Sequence, residues 1–99
     1  MSMQQDVHRA ADRAAERLQA IEELAADDGP EWGAPYVPGS FGCHELLDRT
    51  SLVVDLIERN LLTHPACLQN ADWHRLAAKA AEALHELYQQ VGEAHLPAE

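Results

Sequence analysis

Apolar side chains recur along this chain at steps of three and four residues, the period of an α-helix. From residue 3 to 27 the recurrent positions are Val7, Ala10, Ala11, Ala14, Leu18, Ile21 and Ala25. They make one narrow, alanine-rich face with good helix propensity and little apolar area to bury. Ser2 and Gln5 have the spacing of a capping box at its start.

A second helix is predicted over 43–63. Cys43, Leu47, Thr50, Val54, Ile57 and Leu61 form its seam, widened by Leu46 and Val53. Leu52 and Leu56 fall roughly 160–180° away at ~100° per residue. A helix with apolar residues on two opposite sides is a central one, or one that meets a second subunit. Thr63-His64-Pro65 ends it, because proline breaks the ladder yet suits the first turn of a new helix. Asn70 then serves as N-cap for a third helix over 71–95, with Asp72 favourably placed in its first turn.

The third helix presents a bulky face of Trp73, Leu76, Ala77, Ala80, Leu84, Leu87, Tyr88 and Val91, which the pattern assigns to the core. A second stripe of smaller residues, His74, Ala78, Ala81, His85 and Gly92, lies beside it. Small side chains let another helix backbone come close. Between the first two helices, residues 28–42 carry three prolines, four glycines and three of the five aromatics. That composition excludes regular helix and reads as an ordered strap, with Trp32, Tyr36 and Phe41 as its anchors.

The expected architecture is a single all-α domain over 1–99: helix, long ordered loop, helix, short turn, helix. Two apolar stripes are left over, Leu52 with Leu56 and the set His74, Ala78, Ala81 and His85. A three-helix bundle completed by homodimerisation covers both, and two-fold dimers are the commonest oligomers.

Composition narrows the function. The chain has 99 residues and a formal net charge of −10. Phosphate backbones repel such a surface, and no Lys/Arg cluster offsets it, so nucleic-acid binding is not expected. No segment reaches the ~18 consecutive apolar residues of a membrane span, and the N-terminus lacks the apolar core of a secretory signal. A cytoplasmic protein without membrane contact is expected. Cys43 and Cys67 sit at opposite ends of the second helix, about 30 Å apart at ~1.5 Å per residue. A disulfide requires Cα atoms within about 7 Å, so two reduced thiols are expected.

The residues that could carry chemistry crowd into Val37–Arg49. His44 and Asp48 lie one turn apart and can reach one divalent metal. Ser51 and Asp55 continue that polar side, with Arg59 beyond. Two ligands are not a site, and the plain alternative is a solvated His–Asp contact. Neither a metal nor any other cofactor is expected. Cys43 stands near a helix N-terminus, which favours thiolate, but it also falls on the apolar seam, where a free cysteine packs as a small hydrophobe. Gly39-Ser40-Phe41-Gly42 resembles an anion cradle only in outline. Ser40 as a cap explains it more simply, and Gly42 is there for close approach or for a positive φ. His64 and Cys67 have an HxxC spacing but stand alone, and His95 in a last turn suits the helix dipole as a cation.

No complete catalytic constellation is present. The favoured reading is therefore a non-enzymatic protein-interaction or accessory module that works as a homodimer. The alternative is a small-molecule or metal-binding protein whose site lies at the start of the second helix, with Trp32 and Tyr36 as walls around Gly42, Cys43, His44 and Asp48.

Overall fold

The computed structural model describes residues 3–96, with side chains from Arg9 onward. The expected capping residue Ser2 lies outside the described residues. Those residues are all-helical, with no strand among them. In chain order they form α1 (Met3–Asp28), a single 3-10 turn (Ala34–Tyr36), α2 (Phe41–Leu56), a π-helical turn (Ile57–Leu61), α3 (Pro65–Leu68) and α4 (Ala71–His95). The chain divides into two compact units, Met1–Ala34 and Pro35–Glu99. The division falls inside the proline-glycine segment.

The first unit is the long helix α1 and the turn that follows it. Its alanine-rich seam buries little: Ile21 and Ala25 are half-buried, whereas Leu18 and Leu24 are exposed. Trp32, in the turn, is half-buried.

The second unit is a helical hairpin. Ser40 caps α2 from an extended conformation, its hydroxyl accepting from the Cys43 amide at 3.1 Å. His64, with Pro65 behind it, starts α3 by accepting from the Ala66 amide at Nδ1. Asn70 accepts from both Asp72 and Trp73 amides, each at 3.1 Å, and starts α4. These caps satisfy amides that a helix start leaves without intrahelical partners. α2 and α4 then pack against each other. They run antiparallel, since the segment entering α2 meets the end of α4 (Gly39 with His95) while Glu58 meets His85 further back.

On α2 the buried residues are Cys43, Leu47, Thr50 and Val54, all on the seam that the spacing predicts. The seam does not continue to Leu61. The π turn closes with the Leu62 amide bonded to the Ile57 carbonyl at 3.0 Å. It holds one residue more than an α turn and so shifts the phase by about a third of a revolution. Leu62 becomes half-buried in the place expected of Leu61, which is 50% exposed.

α4 differs more. Ala81 and His95 are buried, and His74, Ala77, Ala78, Leu84, Val91 and Gly92 are half-buried. The bulky residues assigned to the core, Trp73, Leu76, Leu87 and Tyr88, are exposed instead. The small stripe faces inward because it lets the two helices approach closely. Phe41 also departs from its expected anchoring role and is 84% exposed. It lies two residues from Cys43, roughly 200° around the helix, and so opposite the seam.

By the helical period, several exposed apolar residues of the two helices share one side of the hairpin. Leu46 and Val53 flank the α2 seam on that side, and Trp73, Leu76 and Leu87 lie on that side of α4, whereas Leu52 and Leu56 lie on the back of α2. Glu58 and His85 meet on the other side.

Gly92 is half-buried opposite Leu47, and a Cβ built there lies 4.0 Å from Leu47 Cδ2, an ordinary contact. Gly92→Ala is therefore expected to stabilise the hairpin by up to about 1 kcal/mol through helix propensity alone. Urea denaturation checks this as a higher midpoint with an unchanged slope.

Candidate functional site

The polar side of the hairpin holds its titratable groups in two clusters. The first lies where the strap enters α2. His44 Nε2 is 3.7 Å from Asp48 Oδ2, an exposed i,i+4 pair. The His44 ring stands beside that of His95, with centroids 5.4 Å apart and planes tilted by 40°. His95 is buried, and its Nδ1 accepts the Gly39 amide at 2.7 Å. Gly39 has φ +89°, the left-handed conformation that glycine adopts without a Cβ penalty. That turn points its amide at the imidazole.

Beside this cluster, Gly42 has its structural reason. A Cβ there would meet the Pro35 carbonyl oxygen at 2.6 Å and would overlap the Tyr36 ring. Its φ is not in the left-handed region, so close approach is the requirement. Tyr36 is exposed, yet its ring edge covers Gly42, which leaves no room for a ligand between them. Cys43 is buried directly beneath the cap and is a free thiol, as is half-buried Cys67.

The second cluster lines a shallow groove of about 330 Å³ between α2 and α4, formed by Ser51, Val54, Asp55, Glu58, His85 and Tyr88. His85 Nε2 and Glu58 Oε1 are 3.1 Å apart across it. Asp55 pairs with Arg59 at 3.0 Å along α2. A Glu–His pair can hold or move a proton. No hydroxyl or thiol is hydrogen-bonded to the His85 ring among the described residues, so the groove shows no activated nucleophile.

The residues singled out in the sequence thus part company. Gly42, Cys43, His44 and Asp48 share the entry to α2, with Tyr36 laid over Gly42. Trp32 belongs to the first unit. Among the residues named as a subunit contact, Ala81 is buried inside the chain, His74 and Ala78 are half-buried, His85 pairs with Glu58, and Leu52 and Leu56 are exposed. Among the described residues no three His, Cys, Asp or Glu side chains gather as a metal would need, and His44 and Asp48 stand as an exposed i,i+4 pair. No described helix is long and apolar enough to cross a membrane.

Two groups of these clusters were not singled out for the contacts they make. Glu58 pairs across the hairpin from the π turn, although it lies four residues after Val54 and seven after Ser51 and so on their side of the helix. His95 could have been found, because it lies three residues beyond Gly92 and extends the small stripe. Compared with protein families, with curated proteins and with solved structures, the chain matches none.

Proposed function

We propose that this chain is a small acidic interaction module that pairs with a second copy of itself through the apolar side of the α2–α4 hairpin. The observation that carries this is the exposure of large apolar residues on one side of both helices, with Leu46 at 45% and Trp73 at 59%. Contiguous apolar surface of this kind marks an interaction site. Among the described residues only Cys43, Leu47, Val54 and Ala81 form the buried apolar core, so the hairpin gains from a second layer. A two-fold contact supplies it by setting two hairpins face to face as four helices.

Charge favours this side for self-association. Asp48, Asp55 and Glu58 lie on the opposite flank of α2, so two copies meet without bringing those carboxylates together. Trp73 is the natural anchor of the contact, since aromatic side chains dominate interface energetics.

Sedimentation at tens of micromolar is expected to give a species of twice the 11.0 kDa chain mass. Leu46→Glu and Trp73→Glu are each expected to return it to 11.0 kDa with helical circular dichroism intact. A wild-type protein that sediments as a single chain at that concentration overturns the proposal.

A further inference from the structure

We propose that the Gly39–His95 contact is a proton-operated latch that ties the strap before α2 to the last turn of α4. The geometry is specific. His95 is buried, and its Nδ1 lies 2.7 Å from the Gly39 nitrogen, which has only a hydrogen to offer. Nδ1 must therefore carry the lone pair, and the ring proton must sit on Nε2. A protonated imidazole donates from both nitrogens and accepts at neither. Taking up a proton thus turns the contact from an N–H···N hydrogen bond into two hydrogens pointed at one another. Gly39 cannot turn its amide away without leaving the φ of +89° that defines the turn.

The surroundings push the same way. From α2, the His44 ring stands 5.4 Å from that of His95 and has Asp48 beside it. A proton taken up by His95 would set its charge against the neighbouring imidazole. The other titratable side chains of these elements at this end are Tyr36 on the strap, Cys43 and Glu45 on α2, and Glu93 on α4. Among the described residues no carboxylate is bonded to the His95 ring. The sign follows: the latch is closed with a neutral ring and opens when the ring takes up a proton. Opening releases the turn Val37–Ser40 from α4, and with it the support for the Ser40 cap and for the Tyr36 ring over Gly42.

Nuclear magnetic resonance on the full chain tests this. At pH 8 the His95 ring is expected to carry its proton on Nε2, with a through-hydrogen-bond 15N–15N coupling between Gly39 and His95 Nδ1. At pH 5 that coupling is expected to vanish, and protection of the Gly39 amide from exchange to fall at least tenfold. The Gly39 and His95 signals should share one midpoint. His95→Asn offers a carbonyl acceptor that does not titrate, so its Gly39 amide should no longer follow pH. Should that variant fail to fold, the wild-type titration alone decides. A His95 proton on Nδ1 at pH 8 overturns the latch, as does a Gly39 amide that stays protected while the ring takes up its proton.

Discussion

Replacing Leu47 with alanine is expected to abolish cooperative unfolding of the α2–α4 hairpin at room temperature. Leu47 is only 5% exposed and is the largest side chain among the four buried apolar residues found among the described residues. Truncating a buried leucine costs about 2–5 kcal/mol, with the spread set by how far the neighbours collapse into the space. Here the facing position is Gly92, which has no side chain to move in, so the loss belongs in the upper part of that range. Small domains hold about 5–15 kcal/mol in all, and a core of four residues places this one low. Chemical denaturation followed by circular dichroism checks the result. Leu47→Met conserves most of the volume and should lose less than about 1.5 kcal/mol. Equal loss in both variants would show that the space beside Gly92 does not matter.

Gly42→Ala is expected to destabilise the same unit by about 1–3 kcal/mol, the ordinary cost of overpacking. Two neighbours obstruct the new methyl, and they differ in kind. The Tyr36 ring is exposed and can swing away. The Pro35 carbonyl, 2.6 Å from the added carbon, is backbone and moves only with the strap. Position 42 is in the first turn of α2, where the helix-propensity advantage of alanine is small, so nothing offsets the clash. Combining Gly42→Ala with Tyr36→Ala should therefore recover only part of the lost stability. Full recovery in the double variant would mean that the ring alone fills the space. Together with Gly92→Ala, this makes a pair of identical substitutions with opposite signs, separated by 4.0 Å of room in one case and 2.6 Å in the other.

These cases also explain which parts of the structure were legible in the sequence. The α2 seam was readable from Cys43 to Val54 because leucine and valine at helical spacing leave one solution. It failed at Leu61 because a π turn changes the period, and nothing in Ile57–Leu61 marks that change locally. The α4 face was read only in part, since Ala77, Leu84 and Val91 are half-buried as assigned while Trp73, Leu76, Leu87 and Tyr88 are exposed. Bulk draws the eye to Trp73 and Leu76, whereas the closest helix contact is made where side chains are smallest, at Ala78, Ala81 and Gly92. His95 had a ready explanation as a terminal cation, which hid its role as an acceptor. Phe41 shows the same limit: an aromatic in a strap need not be an anchor, and two residues' distance from the seam decides its direction.

The antiparallel course of α2 and α4 brings residue 39 and residue 95 within one hydrogen bond of each other. Entry to and exit from the hairpin therefore share a doorway. A fold with that topology can be spliced into a surface loop of a host protein without prising the host's backbone apart. It can equally be permuted, with a short bridge joining the old ends and new ones cut at Thr63–His64, where the exposed hinge between the π turn and α3 already interrupts the helix.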